Sequence, residues 1–378
     1  MSLFASYDSA LDSLKSRGRY RSLLSRSGYD FSSNDYLGLA ASQTLRAAAH
    51  AALERGVSLG AGGSRLLRGN AEEHELLEKE AAHFFGAERA LFMGGGFIAN
   101  NAIFSTLPRQ EDLILYDELI HASTHDGMKL GRAHTMAFAH NDVSDAEDKI
   151  KHWKNQGGAG RIWLSVESVY SMDGDLAPIE DLVSLARHFD AMLIIDEAHA
   201  TGLYGRHGRG LSHDFAGADT VLTLHTCGKS LGVSGALICG AAPLIETLIN
   251  KARSFIYATA PSPLNAALVR ASLNDLKDNM DRQKAAHDLI AHAHKEASRT
   301  CGLSDLNSQI IPVIIGDDKK TMALASRLQD KGFDVRGIRP PTVPRGTSRL
   351  RISITLNVTA EIISELFETL AREKEALG

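Results

Sequence analysis

The chain is poor in the features that staple, anchor or target a protein. Its 378 residues include only three cysteines, Cys227, Cys239 and Cys301, with no CxxC spacing. That excludes a disulfide framework and fits a reducing compartment. No apolar run approaches the roughly 20 residues that span a bilayer. Met1-Ser2-Leu3-Phe4 lacks a charged segment followed by a long apolar core, so no signal peptide, no membrane association and a cytoplasmic location are expected. With 41 Lys+Arg against 46 Asp+Glu, the net charge is −5, and there is no basic footprint for nucleic acid. No internal repeat or low-complexity linker interrupts the chain. The spaced GxGxxG fingerprint of dinucleotide enzymes and an upstream GxxxxGK[ST] phosphate loop are also missing, which counts against a dehydrogenase, an ATPase or a helicase.

What is present is a regular alternation of short apolar runs with helical patterns. Arg89–Met93, Leu113–Tyr116, 161–168, 192–195 and 233–239 read as strands, the last at the sheet border; helices are expected over 71–85, from Phe97, and over 178–190 and 243–253. Such alternation predicts an α/β fold with a mostly parallel central sheet flanked by helices. A helical arm over 2–17 and a short strand running into a turn over 31–38 come first, and Asn70 is the expected cap of the 71–85 helix. Residues 255–263 read as a loop and 264–298 as a long helical region. Strands at 310–315 and 348–355, with helices near 319–331 and 359–374, form a smaller α+β domain. The expected division is 1–38 for the arm and short strand, 39–280 for the large domain and 281–378 for the small one.

Polar groups gather where strands end. Leu193-Ile194-Ile195 breaks into Asp196-Glu197-Ala198-His199, and Leu222-Thr223-Leu224 leads to Thr226-Cys227-Gly228-Lys229. Open α/β sheets bind ligands just past the carboxyl ends of their strands. A carboxylate, an imidazole and an amine there suit an aromatic cofactor held through its ring nitrogen and bound covalently through an aldehyde, as pyridoxal 5'-phosphate is. Asp196 would keep the ring nitrogen protonated, His199 would donate to the phenolic oxygen, and Lys229 would form the Schiff base and then act as base. Gly94-Gly95-Gly96, between a strand and a helix start, offers amides and a helix dipole to a phosphate.

Other signals stay open on composition alone. Five glycines within 56–69 imply special dihedrals or close backbone packing. His121 and His125, four apart, suggest either a metal pair or a ring stacked on a cofactor; no HExxH pattern accompanies them. Arg17 to Arg21 is either a solvated helix end or an anion contact, and Asn34 is either a carboxylate ligand or a turn residue.

Taken together, the motifs resemble the α-oxoamine synthases, a branch of the fold-type I pyridoxal-phosphate enzymes. The resemblance rests on FSSNDYLGL (31–39), GAGGSRLLRG (60–69), GGFIAN (95–100), His121-Ala122-Ser123, AHNDV (139–143), ESVYSMDGD (167–175), DEAHATG (196–202), TCGKSLGVSG (226–235) and IRPPTVPRGTSRLRI (338–352), in family order. It implies an aminotransferase-like fold and a decarboxylating condensation of an amino acid with an acyl thioester. The nearest branch implies L-alanine and pimeloyl-CoA or pimeloyl-carrier protein, in biotin synthesis. Related branches use glycine or serine with other acyl groups, and a non-catalytic homologue is disfavoured because Lys229 and Asp196 are both present. The implied cofactor contacts are Gly96 and Phe97 at the phosphate, His121 on the ring, Asp196 at its nitrogen, His199 and Ser171 at the phenolic oxygen, and Thr226 beside Lys229. Thr259 is implied to reach the phosphate site of a neighbouring subunit, hence a homodimer with shared sites. Arg351, with Asn34, is implied to hold the amino-acid carboxylate, and Arg19 or Arg21 to meet the acyl substrate. His121 is also implied to assist at the thioester carbonyl. The run Thr226-Cys227-Gly228-Lys229 departs from the plainer Thr-Phe-Gly-Lys form at Cys227.

Overall fold

The computed structural model describes residues 3–377; Met1, Ser2 and Gly378, at the ends of the expected arm and small domain, lie outside them. The chain divides into two compact units, Leu37–Ser171 with Leu176–Lys284, and Met1–Tyr36 with Met172–Asp175 and Ala285–Gly378.

The larger unit is built on seven strands: β1 (Arg89–Met93), β2 (Leu113–Asp117), β3 (His134–Phe138), β4 (Ile162–Glu167), β5 (Met192–Asp196), β6 (Val221–Thr226) and β7 (Ala236–Gly240). Their order is β1-β7-β6-β5-β4-β2-β3. Only β7 runs against its neighbours, pairing antiparallel with both β1 and β6. It therefore lies one strand in from the edge rather than at the border, because β1 closes the sheet beyond it. Alternate side chains enter two cores. Ile114, Trp163, Ile194, Leu222 and Ile238 pack on the face covered by the helices Gly96–Thr106 and Ala242–Lys251. Leu115, Leu164, Val166, Leu193 and Ile195 pack on the other face, with the helices Val143–Asn155 and Ile179–Phe189. Burial on both faces explains why these strands read as continuous apolar runs. Each fully buried Ile or Leu contributes about 1.5–3 kcal/mol.

Several local expectations shift. The helix Glu72–Phe85 is capped at Ala71, whose N–H is accepted by His74 Nδ1 at 3.1 Å. Asn70 is diverted: its carbonyl accepts from Arg65 and its amide donates to Glu75, both at 2.6 Å. The 255–263 loop begins inside a short helix, Arg253–Ile256, and the long helical region breaks at Asn279 into Pro263–Asp278 and Met280–Cys301. Strand β3 and the helix Gln43–Glu54 had no clear sequence signal; β3 lies at the sheet edge, and the helix buries only Leu45 and Ala52.

In the smaller unit, β8 (Ile310–Gly316), β9 (Arg336–Ile338) and β10 (Ser348–Ser353) form an antiparallel sheet with β10 central. The helices Asp318–Asp330 and Ala360–Glu375 pack with it around Leu324, Leu328, Leu350, Ile352, Leu366 and Phe367. The expected strand at 31–38 is shorter and earlier: Tyr29–Asp30 pairs in parallel with Phe333–Asp334. The arm helix, Ala5–Ser16, has no buried residue.

Candidate active site

Three strand ends and two helix starts of the larger unit supply the site. Asp196 is the last residue of β5 and is buried. Its Oδ2 accepts from Asn100 Nδ2 at 3.0 Å and its Oδ1 from the Ala198 N–H at 2.9 Å. One donor on each oxygen fixes the carboxylate in place. Asn100 sits one turn into the Gly96–Thr106 helix, and its amide also donates to Ser123 Oγ at 2.9 Å. Ser123 in turn lies 2.7 Å from His121 Nδ1. His121 caps the helix Ala122–Leu130, its ring nitrogen accepting from the Ser123 N–H at 3.2 Å. Burial and the Lys229 ammonium hold this imidazole below its ordinary pKa, against an opposing pull from Asp196. It is therefore neutral at pH 7, and this Nδ1, as acceptor of the Ser123 N–H, is the unprotonated nitrogen.

The DEAH segment is anchored from beneath. Glu197 points to the opposite face from Asp196, where its carboxyl accepts from Ser168 Oγ (2.6 Å), Ser212 Oγ (2.5 Å) and the Ser212 N–H (2.7 Å). That grip sets the turn on which His199 projects. His199 Nε2 lies 2.7 Å from Lys229 Nζ, so an ammonium on Lys229 donates to the imidazole. Lys229 follows β6, and Thr226 ends that strand with its hydroxyl donating to the Ala198 carbonyl at 3.4 Å.

The helix Gly96–Thr106 opens with Gly95 as its cap. Its first amides have no intrahelical partner and carry the positive end of the dipole. A Cβ on Gly96 would lie 2.6 Å from Thr226 Cγ2, so only glycine lets the two elements close this far. Gly96, Phe97, His121, Asp196, His199, Thr226 and Lys229 therefore all stand at strand ends and helix starts of one sheet, as the sequence reading placed them. Ser171 follows β4 and gives its N–H to Glu167 Oε2 at 3.1 Å. Thr259 lies after the short helix, lining a small cleft with Gly94 and Ile98. His125 packs edge-on against Tyr116, ring centroids 5.2 Å apart. Cys227 is fully buried, and burial raises its thiol pKa, so it packs as a small apolar group.

In the smaller unit, the buried Arg351 guanidinium donates to Ser353 Oγ (2.8 Å) and Asn34 Oδ1 (3.1 Å), and Tyr36 OH joins Asn34 at 3.0 Å. Arg19 is ion-paired with Asp318 at 2.8 Å. Arg21 lines a cleft of about 390 Å³ with Arg17, Val343 and Arg345. Sequence reasoning assigned no role to Asn100, Ser123, Glu167 or Tyr36. The one signal for Asn100 was a polar residue on the buried side of an apolar helix.

The model of class I and II aminotransferases matches residues 26–370. The chain belongs to the class I and II aminotransferase family. Among curated members, 8-amino-7-oxononanoate synthase of Geobacter sulfurreducens is 38% identical, with 97% of each chain covered. 8-Amino-7-oxononanoate synthase 2 of Bacillus subtilis is 37% identical over 95% of each. Among solved structures, a serine palmitoyltransferase variant from S. paucimobilis with bound PLP-myriocin aldimine matches at TM-score 0.90 and 26% identity over the whole of both chains. An 8-amino-7-oxononanoate synthase from Francisella tularensis matches at TM-score 0.77 and 28% identity, covering 92% of this chain and 98% of that one. The aminotransferase-like fold, a mostly parallel sheet flanked by helices, is thus that of the family.

Proposed function

We propose that this chain binds pyridoxal phosphate and condenses L-alanine with a pimeloyl thioester, of CoA or a carrier protein, releasing CO2 and the free thiol and forming 8-amino-7-oxononanoate for biotin synthesis. The supporting observation is the pairing of Lys229 Nζ with His199 Nε2 at 2.7 Å beyond strands whose neighbouring end carries the doubly held Asp196. The residues fit the cofactor: a glycine-only helix start suits a phosphate, and a fixed carboxylate suits a protonated ring nitrogen. When bound, the cofactor supplies an aldehyde for covalent attachment of amines and a ring that draws electrons from the reacting carbon.

The rest is the work of this chain's own groups. Lys229, exchanged by the amino acid, takes the Cα proton. Arg351 with Asn34 holds the carboxylate, orienting the Cα–H bond for its loss ahead of CO2. His121, neutral and fixed by Ser123, assists at the thioester carbonyl. Arg21 takes the acyl substrate; Arg19 has a structural partner in Asp318. Thr259 serves the phosphate site of a second copy, making a homodimer with shared sites.

The test is thiol release by the purified protein with pyridoxal phosphate and pimeloyl-CoA, supplied in turn with alanine, glycine and serine. Alanine is expected to support release together with CO2. Release with serine or glycine alone would keep the condensation and replace the substrate pair, and no release with any of them would refute the reading.

A further inference from the structure

A second buried carboxyl stands beside the first. Glu167 and Asp196 are cross-strand partners at the ends of β4 and β5. In parallel strands such partners point to the same face, about 4.8 Å apart along the hydrogen-bonding direction. Glu167 is 2% exposed and Asp196 8%. Their partners are unequal. Asp196 has a donor on each oxygen, whereas Glu167 has one, the Ser171 N–H on Oε2. Glu167 Oε1 is buried with no hydrogen-bond partner among the described residues. Two charges this close and this dry are not both tolerated.

We propose that Glu167 is a positioning residue that carries the one proton of the Glu167–Asp196 pair, so that the floor of the site holds a single negative charge and holds it on Asp196. The proposal rests on the cofactor reading for its purpose. A single charge balances a protonated ring nitrogen, and a double one would repel the carboxylates of both substrates. The groups acting on Glu167 agree with this. Burial acts first and Asp196 second, both raising its pKa, with a smaller push from Asp117 on β2; Lys229 and the Ser171 amide oppose them. The result is a carboxyl pushed up to about 8.

A folded-state pKa above the unfolded value means that the native state binds the extra proton, so Glu167 costs stability progressively as pH rises from the ordinary glutamate range towards 8. The glutamine variant removes that cost. Full-length wild type, E167Q and D196N should be unfolded at pH values from 5 to 8, both loaded with pyridoxal phosphate and stripped of it. E167Q is expected to match wild type near pH 5 and to gain at least about 2 °C on it by pH 8. D196N, which removes the neighbouring charge, is expected to gain on wild type in the same direction. A purely structural, ionised Glu167 predicts an E167Q deficit that persists or grows with pH, and that outcome overturns the proposal. Should E167Q not fold, the D196N comparison decides: no gain with pH overturns it too. Because the stripped protein is read separately, failure to take up cofactor would count against the functional reading and leave the proton assignment decided on its own.

Discussion

At the scale of single residues, the site is a set of buried polar groups whose partners decide their charge. Asn100 and the Ala198 amide serve the two oxygens of Asp196, and His121 is neutral because burial and Lys229 act together on it. Asn100 is the joint between them, reaching Asp196 and, through Ser123, His121. Asn100→Ala should therefore cost about 1.5–3 kcal/mol in stability, the range for a hydrogen bond to a charged group. It should also lower kcat more than it raises KM, since the loosened carboxylate serves the reacting state. Urea unfolding with steady-state kinetics checks both, and a change in KM alone would remove Asn100 from that role.

At the scale of elements, the start of the Gly96–Thr106 helix and the end of β6 are fitted to each other. The contact that forbids a Cβ on Gly96 is the Thr226 methyl, 2.6 Å from it. Gly96→Ala should weaken cofactor binding by about tenfold or more, a cost of roughly 1–3 kcal/mol for overpacking. Thr226→Ser, which removes the methyl and keeps the hydroxyl, should restore much of that loss in the double variant. Cofactor titration of the two single variants and the double one tests this, with simple additivity as the result against it. The helix Glu72–Phe85 teaches a related lesson. Its cap could not be read locally, because Asn70 is held by Arg65 and Glu75 and leaves the Ala71 amide to His74.

At the scale of the whole molecule, the proposed homodimer makes a prediction no single chain can. If Thr259 of one copy serves the phosphate site of the other, Lys229→Ala on one subunit and Thr259→Ala on its partner fall in the same site of a mixed dimer. One site of each mixed dimer then carries both defects and the other none. Unfolding and refolding the two variants together should restore activity, to about a quarter of all sites at equal mixing. Activity no higher than the sum of the separate variants would place Thr259 within its own subunit's site. Among the described residues no helix is long and apolar enough to cross a membrane, so the exposed Leu3, Phe4, Tyr7 and Leu11 of the arm are not part of a spanning segment.

Much of this was legible in the chain itself. Apolar runs that end abruptly in Asp196-Glu197-Ala198-His199 and Thr226-Cys227-Gly228-Lys229 mark buried strands and the polar groups beyond them, because a strand buried on both faces admits charge only at its end. Periodicity marked helices such as Glu72–Phe85 and Ile179–Phe189 for the same reason, since each must turn one apolar stripe to the sheet, but it did not mark Val143–Asn155 or Ala122–Leu130. Partner choice was not legible. Asn100 finds Asp196 across 96 residues, Asn34 finds Arg351 across 317, and Arg19 finds Asp318 across 299. Glu167 gains its protonation only because the parallel register sets it opposite Asp196. Local sequence determines which groups sit at the ends of strands and helices. Strand order and register decide which of them meet, and at close range in a dry interior that meeting fixes which ones carry charge.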